Sequence, residues 1–342
     1  MQQDLLATEI GVRARTLLGE PNRRLRVLAP VHGAIYIEDE WGEIIWLADR
    51  RAALHSRAIL VADVSSLEEV SRGTRCFVHE NYLHVGENVV VNLSCAAVWA
   101  PTVVSTGIQG PAEWGKRFQG AVQRAAWQSA PPRSLIYNML HLPEATDSAL
   151  PRERAVLSSL LRGAAVLGSV RVRRDLPCAL EEARELVGLG EGLTPSGDDL
   201  LGGYLFTLHL VDHASEHLLG IDWDCVEEWA YSVAHLTSRI SHTILLDHVR
   251  GEAGYPVWAL LCHAIGGFKE QHLAQIALRV SRIGHSSGWD ILAGVHCGAS
   301  VAVSLVANVF ERSAPARARC GMSTRCGRIG RAAEGGLACP LT

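Results

Sequence analysis

The sequence predicts an α+β protein: a small β-rich sandwich or barrel first, then a larger, mostly helical domain. Three observations carry this. Short apolar runs separated by turn signals fill the first hundred residues. Helical periodicity takes over from about Gly110. The composition, 48% hydrophobic and 20% charged over 342 residues, is that of a globular chain with a sizeable core.

The strand-like runs come in order: 26–28, 34–37, 43–48, 58–62, 76–79, 82–85 and 89–93. Glu80-Asn81 and Gly86-Glu87-Asn88 read as tight turns between the last three, the pattern of a meander that closes into a sandwich or barrel. The helical stretches are 112–129, 148–167, 176–189, 200–219, 222–249, 257–265, 273–282 and 290–311. In the first, Trp114, Phe118, Val122 and Ala125 share one face. The expected division is residues 1–108 for the β-rich domain and 109–311 for the helical domain. Residues 312–342 carry several Arg, much Gly and Ala and little aliphatic patterning, and read as a disordered tail.

The net charge of −4 argues against nucleic acid or an anionic membrane as the main partner. The nine cysteines are scattered and form no CxxC, which fits reduced thiols. Met1-Gln2-Gln3-Asp4 does not open a signal peptide, and the longest apolar stretch, 291–310, holds His296 and many small residues. A cytoplasmic location is therefore expected.

One phrase occurs twice, 91 residues apart. Ser196-Gly197-Asp198-Asp199-Leu200-Leu201-Gly202-Gly203 is echoed by Ser287-Gly288-Trp289-Asp290-Ile291-Leu292-Ala293-Gly294. Each copy follows a glycine-containing loop and opens an apolar helix. Such a junction offers backbone N–H groups to an anion or a polar small molecule. The small residues one turn in allow the two helices to approach closely, so the copies are expected to pair around one pocket.

In the first copy, Gly190 and Gly192 free the backbone, while Thr194 or Ser196 caps the helix. No Lys follows, so this is not a phosphate-binding P-loop. Asp198 and Asp199 would repel a bare phosphate. They suit a divalent or monovalent cation, an amide N–H or a hydroxyl, and leave the N–H groups of 192–197 for an anionic group. A well-capped helix is the competing reading. In the second copy, Ser286, Ser287 and Gly288 face the same role, Asp290 corresponds to Asp199, and His285 is a candidate general acid or base.

Between the copies, Thr237-Ser238-Arg239-Ile240-Ser241 offers hydroxyls at Ser238 and Ser241 and a carboxylate or phosphate clamp at Arg239. The alternative is the polar face of one long helix. His209, His213 and His217 lie on one helix face, but no HExxH pattern accompanies them, and no metal site is assigned. No GxSxG elbow supports serine hydrolase chemistry.

The segments 188–199, 237–241 and 284–294 together resemble a bacterial family whose best-known member is a subunit of oxamate carbamoyltransferase, from anaerobic allantoin (purine nitrogen) catabolism. The likeness is strong over 185–310 and weaker over 25–185. Glu191 stands where a proline or small residue is expected. The resemblance implies carbamoyl transfer between carbamoyl phosphate and a small, oxamate-like amide or amine. It also implies partner subunits in a multi-subunit complex, with activity that depends on them; a homo-oligomer is compatible. Asp199 and Asp290 would accept the NH2 hydrogens of the ligand, His285 would move a proton, and Arg239 would bind a carboxylate. A non-catalytic ligand-binding subunit, and a hydrolase or lyase of amide or carbamoyl compounds, are the alternatives.

Overall fold

The structure is a computed structural model that describes residues 3–20, 23–64, 67, 69–101, 111–132, 134–140 and 151–313. Most of the tail read as disordered, 314–342, lies outside the described residues, as does the expected domain boundary at 108.

Among the described residues nine strands form one sheet: β1 Gln3–Gly11, β2 Leu25–Val31, β3 Ala34–Asp39, β4 Ile44–Asp49, β5 Ala58–Val61, β6 Arg75–His79, β7 Tyr82–Val85, β8 Val89–Asn92 and β9 Ala97–Trp99. The order β5-β4-β3-β2-β6-β7-β8-β1 closes through a β1–β5 pairing, so eight strands make a barrel. The long first strand closes it. On one edge Gln3–Leu6 pairs parallel with β8 and Glu9–Gly11 pairs parallel with β9. On the other edge Ala7, Glu9 and Ile10 pair antiparallel with β5, across an irregularity between Ala7 and Glu9.

Side chains alternate along each strand. Ile35, Ile37, Ile45, Leu47, Ile59, Val61, Leu83, Val85, Val89 and Val91 fill the barrel, together with Ala14, Leu17 and Leu18 of α1 Val12–Gly19. The alternate positions of β3 and β4 necessarily face outward. Ala34 pairs with Ala48 and Tyr36 with Trp46, so these four form a patch on the barrel's outer wall.

Among the described residues eleven helices follow: α2 Pro111–Ser129, α3 Leu135–Met139, α4 Pro151–Gly168, α5 Val170–Arg173, α6 Leu176–Glu182, α7 Ser196–Ala214, α8 Trp223–Ser232, α9 Arg239–Val249, α10 Tyr255–Ile265, α11 Glu270–Val280 and α12 Ser287–Ser313. The stretch 222–249, expected as one helix, is broken by a short 3-10 turn at Ala234–Leu236 and extended backbone at Thr237. Ser238 then starts α9 afresh, its hydroxyl accepting from the Ser241 N–H at 3.0 Å.

At the centre of the helical core α7 packs on α12. A Cβ at Gly203 would lie 2.4 Å from the Ile291 carbonyl oxygen, and one at Gly294 would lie 2.0 Å from the Leu200 carbonyl oxygen. The two contacts are the same contact displaced by 91 residues, so the doubled phrase forms a pseudo-two-fold pair. The segments Pro151–Arg173 and Ser287–Ala307 are long and apolar enough to cross a membrane by length and composition. Most of the second is buried inside the protein, as the apolar character of a central core helix requires.

The barrel is joined to the helices by a buried ion pair. Arg57, after the barrel's outer loop, donates from Nε (2.6 Å) and Nη2 (3.0 Å) to Asp247 of α9, which is fully buried. Arg57 Nη1 also donates to Glu43 at 2.7 Å and to the Ile44 carbonyl at 3.1 Å. Glu252 accepts from Arg13 at 2.7 Å and from the Ser56 hydroxyl at 2.6 Å.

Candidate functional site

The starts of α7 and α12 lie side by side: the Thr194 and Ser287 hydroxyls are 2.9 Å apart. The serines exchange acids. The Ser287 hydroxyl lies close enough to Asp199 to favour its charged form, and the Ser196 hydroxyl does the same for Asp290. Adding the 91-residue offset turns one contact into the other. The expected pairing of the copies is thus reciprocal.

The two acids are buried, each 5% exposed. Burial above all pushes the Asp199 carboxyl well above the usual carboxylate range. The negative charges of Asp290 and Asp198 add to this, and the Ser287 and Thr194 hydroxyls oppose it. Burial likewise raises Asp290 to about 6, against the Ser196 hydroxyl. Asp199 Oδ2 has no hydrogen-bond partner.

Asp198 does something different. Its Oδ1 accepts from the Gly188 N–H at 2.8 Å, and its Oδ2 from the hydroxyls of Thr237 and Ser241, the latter at 2.6 Å. It is a brace that ties the glycine loop and the start of α9 to α7. Gly190, at φ +127°, lets that loop turn back over Ser196. Among the described residues no cluster of three or more His, Cys, Asp or Glu could hold a metal.

Asp199, Thr194 and Ser287 are among the residues that line a cavity of about 550 Å³ between the barrel and the helices. The barrel contributes Ala34, Tyr36, Trp46, Ala48 and His55. The helices contribute Ile244, His248, Val257, Ile283 and Ile291, with Arg279 and Arg282 also lining it. The Asp199 charge raises the Tyr36 hydroxyl's pKa, secondary to burial, which marks the two groups as neighbours across the barrel–helix junction. Trp46 packs on Tyr36 (ring centroids 5.7 Å) and on His55 (4.9 Å). Burial lowers His55 and brings His248 down to about 4, so both face the cavity uncharged at neutral pH.

Other sequence candidates lie elsewhere. The Arg239 guanidinium pairs with Glu38 of the barrel and lines a separate cleft beside Trp41. His285 is exposed and is not among the cavity-lining residues. Ser238 caps α9 and gives its hydroxyl proton to the Leu193 carbonyl at 2.7 Å. The N–H groups expected to be free are partly used. Gly197 donates to the Leu189 carbonyl and Gly288 to the Ile283 carbonyl, both at 2.9 Å. Ser286 offers its carbonyl to the N–H groups of Trp289 and Asp290, and Gly192 is exposed in its loop. The His217 ring N–H donates to Asp212 at 3.1 Å, which also receives the Trp223 indole N–H at 3.0 Å, so this histidine serves a helix end.

Sequence reasoning did not reach Tyr36, Trp46, His55, His248, Arg279 and Arg282. A usable signal existed for two of them. If Ile35, Ile37, Ile45 and Leu47 point inward, Tyr36 and Trp46 must point out.

A closed barrel set against a glycine-coupled helix pair, with a half-apolar cavity lined in part by a buried acid, places the chain among mixed α and β proteins with a small-molecule cavity at the junction. Residues 186–299 match the family model described as oxamate carbamoyltransferase subunit AllH. The matched segment contains all three motifs and bears out the resemblance read from them. Nothing among the curated proteins or the solved structures matches the chain.

Proposed function

We propose that this chain is a subunit for carbamoyl transfer, and that the cavity between barrel and helices holds a small amide or carbamoyl compound at Asp199. The observation that carries this is the unpartnered Oδ2 of a buried carboxyl lining the cavity. A carboxyl held toward its neutral form donates a hydrogen bond, and a carbamoyl or amide carbonyl oxygen is a fitting acceptor. That bond strengthens as the acceptor nitrogen attacks the carbamoyl carbon and negative charge grows on the oxygen. The C–O bond to phosphate then breaks, and the phosphate leaves with the electron pair and takes the proton that the attacking nitrogen gives up. The family match over 186–299 supports a subunit role.

A second reading, a ligand-binding subunit without chemistry of its own, is favoured by one observation. Arg239 is engaged by Glu38 and His285 lies outside the cavity lining, so two of the groups first assigned to chemistry are not at the site. Purified protein incubated with carbamoyl phosphate and oxamate, alone and with partner subunits, separates the two. Phosphate release abolished by Asp199→Ala and largely kept by Asp199→Asn, whose amide can still donate, supports the enzyme. Saturable oxamate binding without turnover, lost in Asp199→Ala, supports the binding subunit. Absence of both overturns the assignment of the site.

A further inference from the structure

The matched family segment supplies the acid of the cavity and its arginines, but none of the barrel wall. That wall is aromatic and small: Tyr36 and Trp46 stand opposite each other across β3 and β4, with Ala34 and Ala48 beside them. Across the cavity are aliphatic side chains, among them Ile244 and Ile291. A ligand made only of polar groups would leave these surfaces in water or pressed against charge. The volume, about 550 Å³, lies within the range of sites that enclose drug-sized molecules, about 300–1,000 Å³.

The cationic lining has its own logic. Arg279, in the last turn of α11, and Arg282, just beyond it, are one helical turn apart and exposed. Neither guanidinium has a carboxylate partner among the described residues, unlike Arg51, which is held by Asp49 at 2.7 Å. Two unengaged guanidiniums line the same cavity as an acid that can donate a hydrogen bond, so the site offers complementary groups to both an anion and an amide.

We infer that the ligand of this cavity carries a planar, partly apolar body together with an amide-type group for Asp199 and an anionic group for Arg279 and Arg282. The flat body lies against Trp46, between the aromatic wall of the barrel and the aliphatic side chains of the helices. This rests on the reading of Asp199 as an amide site. The barrel then sets the size of the substrate, while the segment shared with the family holds its polar groups.

Two ligands with the same end groups test this on the full chain. Oxamate joins an amide to a carboxylate directly; 4-carbamoylbenzoate places a benzene ring between them. By isothermal titration, 4-carbamoylbenzoate is expected to bind about tenfold or more tightly than oxamate, the scale of one aromatic stacking contact. Trp46→Leu, which keeps apolar bulk on the barrel's exterior, should remove most of that difference. Terephthalamide, with a second amide in place of the carboxylate, should bind about tenfold more weakly than 4-carbamoylbenzoate, and Arg279→Ala with Arg282→Ala should abolish that preference. Oxamate binding as tightly as the ring compound, or a preference that survives in Trp46→Leu, overturns the inference and leaves the amide site standing. Binding of neither overturns both. The comparison of ligands on the unmutated chain decides the matter even if a variant fails to fold.

Discussion

Replacing Asp290 with asparagine should stabilise the protein increasingly as pH rises from about 4, with nearly all of the gain reached by about pH 6. Folding carries this carboxyl from an ordinary value of 3.8 to about 6, chiefly through burial. A carboxyl whose folded pKa is raised binds its proton more tightly in the native state. Its contribution is fully present below pH 3.8 and is lost as pH rises through 6. A shift of about two units corresponds to about 3 kcal/mol. Asparagine has nearly the same shape, keeps an acceptor oxygen for the Ser196 hydroxyl, and does not titrate. Urea unfolding at pH 4, 6 and 8 should therefore show Asp290→Asn near the parent at pH 4 and up to about 3 kcal/mol more stable at pH 8. A stability difference that is flat across this range would refute the burial argument. So would a variant that becomes relatively less stable as pH rises.

Asp247→Ala strands the buried Arg57 guanidinium and should cost about 3–5 kcal/mol, read as a lower urea midpoint; a loss under 1 kcal/mol would mean that water replaces the lost partner. Gly294→Ala drives a methyl against the Leu200 carbonyl, so α7 and α12 must separate, at a cost of about 1–3 kcal/mol or more in thermal unfolding. Gly19→Ala, with open space around it, is the control and should be near neutral. Asp198→Ala removes the acceptor for three donors and should lower stability by at least about 2 kcal/mol and expose the 187–195 loop to limited proteolysis.

Several features of the fold were legible locally. Ile35, Ile37, Ile45 and Leu47 announce their strands by alternation, and the Gly-Ser junctions announce α7 and α12. What escaped depends on partners far along the chain. The residues of β1, Leu5, Leu6, Ala7 and Glu9, favour a helix as readily as a strand, and only β5, β8 and β9 make them a strand. Arg239 reads as a free clamp until Glu38, some two hundred residues earlier, is seen against it. Asp198 and Asp199 are neighbours of the same type, yet one is saturated by Gly188, Thr237 and Ser241 while the other keeps an oxygen unpartnered. That difference follows from which way each faces on α7, and spacing within the motif does not reveal it.

The barrel's closure also orders events in time. β1 is translated first, yet its partners are β5, β8 and β9, the last of them some ninety residues later. At about 5–20 residues per second, that strand waits several seconds on the ribosome with Leu5, Leu6 and Ile10 unpaired. The wall that carries Tyr36 and Trp46 can form as a β3–β4 hairpin long before the cylinder is sealed. The first strand is therefore the segment through which two nascent copies could exchange during that interval.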